Sequence, residues 1–173
     1  MSLSPGVLLK ERYKITSLIA SSGMGNIYLA EDQTLKTQVA VKENLYSSVD
    51  HSRQFRREAT LLANLRHPNL PRVIDHFVLP GMGEYLVMDY VPGQDLREKV
   101  TSLRKPMSEA EAVAIVVKIA QALSYLHTRT PPIIHRDVKP ANIKMTPEGD
   151  VVLVDFGLAK VQTTDLTEAG VQG

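Results

Sequence analysis

The feature that most constrains the fold of this chain is a change of character at Val91-Pro92-Gly93. Before this point, short segments rich in β-branched residues alternate with turn formers, which is the pattern of β-strands in a sheet. After it, the longest element is an apolar segment with helical spacing. Proline and glycine interrupt both kinds of element. We therefore predict a boundary here, between a small, mostly β unit and a mostly helical unit, and an α+β fold class.

The first unit is predicted to hold one helix among its strands. The helix covers Asp50 to Leu65, where apolar residues recur at helical spacing among charged ones, and His67-Pro68 ends it. The predicted strands are Tyr13–Ile19, Asn26–Ala30, Gln38–Lys42, Val73–Leu79 and Glu84–Tyr90.

The second unit opens with a helix that begins at a capping box. In Ser108-Glu-Ala-Glu111, Ser108 is predicted to accept a hydrogen bond from the start of the helix, and Glu111 to reach back to it. The helix runs to about His127 and is apolar on more than one face, so we expect it to be buried on both sides. A hairpin turned by Thr146–Asp150 and a strand Val151–Val154 follow.

Composition excludes several classes of protein. A net charge of +1 gives no argument for nucleic-acid binding, and the lack of cysteine excludes a disulfide framework. The longest apolar run, Ala112–Val117, is too short to span a bilayer. The first residues have neither the basic nor the apolar region of a signal peptide. We expect a cytoplasmic protein, or the cytoplasmic part of a longer one, with no nucleic-acid partner and no membrane segment in this chain.

Chemistry is concentrated in Ile134-His-Arg-Asp-Val-Lys-Pro-Ala-Asn142 and in Asp155-Phe-Gly157, which follows Asp137 by 18 positions. Taken singly, the aspartate, lysine and asparagine side chains could be an ion pair, a solvated charge and a cap. Their joint spacing, together with Val39-Ala-Val-Lys42 upstream, argues against that interpretation. From about Tyr13 to its end, the chain resembles the eukaryotic-like (Hanks-type) Ser/Thr protein kinases of bacteria.

The resemblance implies a two-lobe fold and an ATP-dependent reaction. Residues 1–90 would form the N-lobe, an antiparallel sheet with one helix, and residues 91–173 an incomplete, mostly helical C-lobe. Asp137 would accept or orient the proton of a protein serine or threonine hydroxyl, and Lys139 would neutralise the γ-phosphate of ATP. Asn142 and Asp155 would hold Mg²⁺, with Mn²⁺ as an alternative.

Two further catalytic residues are implied in the N-lobe. Lys42 stands where these kinases grip the α- and β-phosphates, and Glu58 on the following helix would pair with it and fix its position. Asp89 and Val91 would bind adenine through their backbones, beside Met88 as gatekeeper. The rest of the implied nucleotide site consists of Ile19, Ser22, Gly23, Gly25, Ile27, Ala40, Asp95 at the ribose, and Lys144 beneath the adenine.

Three departures from the family pattern qualify this expectation. In the phosphate loop that the resemblance implies, Ile19–Ala30, Ala20 and Ser22 stand where glycine is usual, and their Cβ atoms restrict close approach to phosphates. We therefore expect weakened ATP binding. Lys144 replaces an aliphatic residue. The sequence ends at Gly173, inside what would be the activation segment, so we expect an incomplete domain that self-associates through an uncovered C-lobe helix or is poorly soluble. The alternative is a monomer in which the incomplete lobe repacks and hides that helix.

The predicted function is that of a protein serine/threonine kinase fragment. An alternative is a catalytically inactive nucleotide-binding or scaffold module, which the altered loop would favour. A small-molecule phosphotransferase of the aminoglycoside-kinase type is disfavoured, because such enzymes lack the Asp-x-Lys-Pro and Asp-Phe-Gly pattern.

Overall fold

The computed structural model describes residues 2–22, 25–44, 49–155 and 160–161. Its first half contains one helix, α1 (Val49–Ala63), between the fourth and fifth strands. The strands are β1 (Leu8–Leu9), β2 (Tyr13–Ser22), β3 (Gly25–Asp32), β4 (Thr37–Asn44), β5 (Val73–Leu79) and β6 (Gly83–Asp89).

These strands form one antiparallel six-stranded sheet in the order β1-β2-β3-β4-β6-β5. Side chains alternate between its two faces because successive residues of a strand point to opposite sides. On β4, Ala40 and Lys42 therefore lie on one face, which we call the inner face. Val39, Val41 and Glu43 lie on the other, the outer face.

The second half is built from helices and short strands. In chain order the elements are β7 (Gln94–Asp95), α2 (Leu96–Ser102), α3 (Glu109–His127), β8 (Ile133–Ile134), a 3₁₀ turn (Pro140–Asn142), β9 (Ile143–Met145), β10 (Val151–Leu153) and β11 (Lys160–Val161). A two-stranded sheet pairs β11 with β8, and a three-stranded sheet has the order β10-β9-β7.

Two apolar cores lie on opposite faces of the large sheet. The larger core contains residues from both sides of Val91, among them Leu62 of α1, Leu86 of β6 and Ile119 of α3. The smaller core covers the outer face and includes Tyr28 and Val41. The larger core therefore joins the sheet to the helical part of the chain, and it supports the segment that leads to Asp155.

Gly93 lies where the chain enters the second half, and glycine is required there. It has φ +94°, and a Cβ at this position would lie 2.1 Å from the backbone oxygen of Met145 on β9. Any other residue would push β9 away, because that distance is far inside van der Waals contact and the φ value favours glycine.

Helix α3 buries only one of its faces, so the expectation of burial on both sides is wrong for the described chain, and the expected uncovered face is confirmed. Ile115, Ile119, Ala122 and Leu126 are buried in the larger core. On the opposite face, Val116 is 64% exposed, and Val113 and Val117 are also exposed. By length and composition alone α3 could cross a membrane, but core helices pass the same test.

The predicted capping box of α3 is only half formed. Ser108 accepts from the Glu111 backbone N–H at 3.3 Å, as predicted. The Glu111 carboxylate instead pairs with the Lys99 ammonium of α2. The complete capping box lies at α2, where Asp95 accepts from the Glu98 N–H and Glu98 accepts from the Asp95 N–H.

Candidate active site

Lys42 lies on the inner face of β4 and contacts Asp155, two residues beyond the end of β10. Its Nζ is 3.3 Å from Oδ1 of Asp155, and the Lys42 side chain is only 13% exposed. The two residues are 113 positions apart in the chain. The fold therefore places the predicted phosphate-binding lysine beside the predicted metal ligand.

The loop between β8 and β9 gathers three predicted residues around one carboxylate. Lys139 donates from Nζ to Oδ2 of Asp137 at 2.8 Å. Asn142, in the 3₁₀ turn, donates from Nδ2 to the same oxygen and to the Asp137 backbone oxygen, each at 2.8 Å. Pro140 begins this turn, where its fixed φ suits a helical start. The arrangement holds the Asp137 side chain in one orientation.

The electrostatics of Asp137 favour its ionised form. The hydrogen bond from Lys139 is the largest influence and lowers the pKa of Asp137, opposed by desolvation and helped by Asn142. An ionised carboxylate is an acceptor only. Asp137 can therefore accept the hydrogen of a substrate hydroxyl at neutral pH.

His135 supports this loop from inside the protein. It is 1% exposed, and burial lowers the pKa of its imidazole. The Asp137 N–H lies 3.4 Å from His135 Nδ1. Arg136 between them has φ +64°, and Asp155 has φ +65°. Such values are uncommon for residues other than glycine, and they concentrate at functional sites where the surroundings hold the strain.

The residues present fit a magnesium ion bound with nucleotide. Because Asn142 uses Nδ2 toward Asp137, its amide oxygen Oδ1 is kept out of that interaction. The Val154 N–H donates to the Asn142 backbone oxygen at 2.8 Å, which brings the chain just before Asp155 against the 3₁₀ turn. Asn142 and Asp155 thus offer the oxygen ligands that Mg²⁺ takes, and phosphates and water complete such sites. Within the described residues, no group of three or more His, Asp or Glu side chains is arranged for a metal.

The predicted adenine site lies on neighbouring strands of the inner face. Across the sheet, Ile27 pairs with Lys42 and Ala40 pairs with Met88. These side chains therefore share a face with Lys42. Ile19 on β2 is 47% exposed.

Other predicted nucleotide contacts already have protein partners. The Asp89 N–H donates to the Arg72 backbone oxygen at 2.9 Å, so the predicted adenine contact would have to use the Asp89 carbonyl. The Asp95 carboxylate caps α2, so a ribose hydroxyl would share it with the Glu98 N–H. Lys144 on β9 pairs in register with Asp95 and is half-buried. Val91 follows β6 and is also half-buried.

Some predicted site residues lie outside the described part of the structure. Gly23 is one, and the side chains of Ser22 and Glu58 are others, so the Lys42–Glu58 pair stays a prediction. Gly25 is described, and a Cβ there would lie 2.1 Å from the Glu43 backbone oxygen. Glycine at this position therefore permits close contact between β3 and β4.

Sequence reasoning missed Asn69, which fixes the strand before Asp155. The buried Asn69 side chain donates from Nδ2 to the Val151 backbone oxygen at 2.6 Å, and its own backbone oxygen accepts from the Leu153 N–H at 2.9 Å. The signal was present, since His67-Pro68 ends the preceding helix and an asparagine follows directly. A short polar residue at such a position commonly bonds to backbone groups.

Comparison with known proteins gives consistent similarities. The matching family model is that of the protein kinase domain, over residues 13–171. The probable serine/threonine-protein kinase YbdM of Bacillus subtilis is 31% identical over 169 residues, which cover 96% of this chain and 64% of that protein. Serine/threonine-protein kinase PrkC of the same species is 36% identical over 162 residues, 89% of this chain and 24% of the relative.

Comparison with solved structures also finds protein kinase domains. The Mycobacterium tuberculosis PknI kinase domain is 31% identical with a TM-score of 0.76, over 92% of this chain and 64% of that chain. The chain therefore spans less than two thirds of each of these relatives.

Proposed function

Because the chain belongs to the protein kinase family, with bacterial serine/threonine kinases among its relatives, we propose that it forms the ATP-binding part of a kinase that phosphorylates protein serine and threonine hydroxyls. The observation that carries this proposal is the cluster at Asp137. The Asp137 carboxylate, whose pKa is lowered, accepts hydrogen bonds from Lys139 and Asn142. The residues that lead from β10 to Asp155 lie beside it.

The proposed division of labour follows from where each charge lies. Asp137 accepts the hydrogen bond of the substrate hydroxyl and orients its oxygen toward the γ-phosphate. Lys139 is placed to follow the negative charge that moves during transfer, because its ammonium already lies 2.8 Å from Asp137. Phosphoryl transfer depends mainly on such positioning and charge stabilisation.

On the other side of the site, Lys42 binds the α- and β-phosphates of ATP. Asn142 and Asp155 hold Mg²⁺, which neutralises phosphate charge when bound. The 3.3 Å contact between Lys42 and Asp155 supports this assignment, because it places one cation and one carboxylate at the same point between the sheet and the loop.

Transfer of labelled γ-phosphate from ATP to a generic protein substrate tests the proposal, using purified protein that contains this chain. We expect Asp137→Asn and Lys42→Met to reduce transfer by at least about a hundredfold, the scale of general-base and charge-positioning effects. Both variants should keep the melting temperature nearly unchanged.

Two surface substitutions serve as matched controls. Asp150→Asn changes an exposed aspartate in the β9–β10 turn, and Lys14→Met changes an exposed lysine on β2; both should keep full activity. Persistent transfer by purified Asp137→Asn would contradict the role given to that residue. Tight ATP binding without any transfer by the unsubstituted protein would instead support the non-catalytic alternative.

A further inference from the structure

Glu43 is a buried acidic residue that phosphoryl transfer does not use. It follows Lys42 on β4 but points to the outer face of the sheet, and it is only 4% exposed. Its Oε2 accepts from the Tyr28 hydroxyl at 2.8 Å and from Asn26 Nδ2 at 3.0 Å, and its Oε1 lies 3.4 Å from the Tyr85 hydroxyl. No ion pair within the described part of the chain includes Glu43. A buried carboxyl group of this kind depends on its hydrogen-bond donors.

The hydroxyl groups of the two tyrosines that contact Glu43 are hydrogen-bond donors at physiological pH. Burial is the largest cause that raises the pKa of Tyr28, and it raises the pKa of Tyr85 to about 12. Both phenols therefore keep their protons at physiological pH. The Tyr28 oxygen also accepts a hydrogen bond from the Leu3 N–H at 2.9 Å, which connects the N-terminal segment to this network.

Asn26 extends the network to the predicted phosphate loop. It is 5% exposed, and while its Nδ2 donates to Glu43, its Oδ1 accepts from the Ser21 hydroxyl at 2.8 Å. Ser21 is the second-last residue of β2 and Asn26 is the second residue of β3, and they pair directly across the base of the loop. Asn26 in turn pairs with Glu43 across β3 and β4.

A second feature fixes the same point. Gly25 approaches β4 so closely that a Cβ would lie 2.1 Å from the backbone oxygen of Glu43. Both strands of the loop are thus tied to the residue next to Lys42, one by side chains and the other by backbone proximity.

We propose that the hydrogen-bonded series Ser21–Asn26–Glu43 is a positioning device, which holds the base of the phosphate loop at a fixed place relative to Lys42 and so sets the affinity for the phosphates of the nucleotide. This inference rests on the proposed ATP binding. The physical reason is preorganisation: a loop already held in place loses less conformational freedom when phosphates bind. The loop that this hydrogen-bonded series holds is the same loop in which Ala20 and Ser22 stand where glycine is usual.

Ser21→Ala tests the series with little risk to folding, because Ser21 is exposed and, among the described residues, its side chain loses only the hydrogen bond to Asn26. Ser21→Thr retains the hydroxyl. Ser17→Ala is the matched control, since Ser17 is an exposed serine on the same strand. For each protein the dissociation constants of Mg-ATP and of adenosine are measured by calorimetry. Adenosine shares the base and ribose but has no phosphate.

We expect Ser21→Ala to weaken Mg-ATP binding about fivefold, the effect of one lost hydrogen bond, with adenosine binding unchanged. Ser21→Thr and Ser17→Ala should bind both ligands as the unsubstituted protein does. Unchanged Mg-ATP affinity in Ser21→Ala would overturn the inference alone, as would an equal loss for both ligands. Failure of the unsubstituted protein to bind Mg-ATP would overturn the proposed function, and this inference with it.

Discussion

Asp32 offers a test in which stability and pH are linked by a single buried carboxylate. It ends β3, and its side chain is fully buried. Arg12 donates to it from Nε at 3.0 and 3.1 Å and from Nη2 at 2.7 Å, and the Thr34 and Leu35 N–H groups add bonds at 2.9 and 3.2 Å. These contacts, led by the hydrogen bond from Arg12, lower the pKa of Asp32 to about 2.

The size of the effect follows from the depressed pKa. A fall from the ordinary value of 3.8 to about 2 corresponds to about 2 kcal/mol in the free energy of unfolding. This stability is present above the unfolded-state pKa of Asp32, and it is lost as the pH falls from about 5 toward 2. About half should be gone by pH 3, because the unfolded carboxylate is then mostly protonated while the folded one is not.

Urea unfolding of the unsubstituted protein and of Asp32→Asn at pH 7 and pH 3 measures this contribution. At pH 7 we expect the variant to be less stable by about 2–3 kcal/mol, because Arg12 loses its charged partner in a partly buried site. At pH 3 the difference should narrow by about 1 kcal/mol. Asp150→Asn, on an exposed turn, should show no difference at either pH. A gap for Asp32→Asn that stays constant between the two pH values would refute the reasoning.

Three further predictions concern the site and its surroundings. Lys139→Met should raise the pKa of Asp137, because it removes the hydrogen bond that lowers this pKa most. The acid limb of the pH profile of kcat/KM should therefore move to higher pH, and an unchanged limb would contradict this. Replacing both Ala20 and Ser22 with glycine should tighten Mg-ATP binding several-fold in calorimetry, and weaker binding would count against our interpretation of the loop. We also propose that the chain self-associates through the exposed valines of α3, so Val116→Asp should lower the mass measured by light scattering across a concentration series. A monomer at all concentrations before substitution would exclude that association.

Much of the fold could be predicted because the periodic patterns are strong. The strand Val73–Leu79 is confirmed residue for residue, and α3 ends at His127 as its apolar pattern predicts. The hairpin at Thr146–Asp150 forms with the Thr146 N–H donating to the Asp150 backbone oxygen at 2.9 Å. The helix predicted from Asp50 to Leu65 is observed as Val49–Ala63, a difference within the usual uncertainty of helix ends.

What the sequence could not reveal depends on partners far along the chain. Two-residue strands such as β1 and β7 exist only through pairing, and they have no periodicity of their own. The carboxylate of Glu111 fits a capping box when only its neighbours are considered, but α2 brings Lys99 beside it. The ion pair with Lys99 replaces the hydrogen bond that the Glu111 carboxylate would make to the start of its own helix. The capping-box pattern therefore predicts only one of its two hydrogen bonds at α3. Asp95-Leu-Arg-Glu98 satisfies the same pattern, and the helix cap that it forms is the alternative to the ribose contact implied for Asp95.

Local sequence patterns likewise predict the chemistry of the site, but not the contacts between residues far apart in the chain. Motif spacing indicates which residue types carry charge and which accept a proton, since those needs are fixed by the reaction. It does not indicate that Lys42 contacts Asp155, or that Glu43, its neighbour, turns into a buried network on the opposite face. Strand alternation alone would have placed Glu43 there, but only the three-dimensional arrangement shows Tyr28, Asn26 and Tyr85 around it. A buried carboxyl group surrounded by neutral donors, next to the phosphate-binding lysine, links the stability of the sheet to the placement of the loop. Substitutions that loosen the outer face should therefore alter nucleotide affinity without touching any residue that contacts the nucleotide.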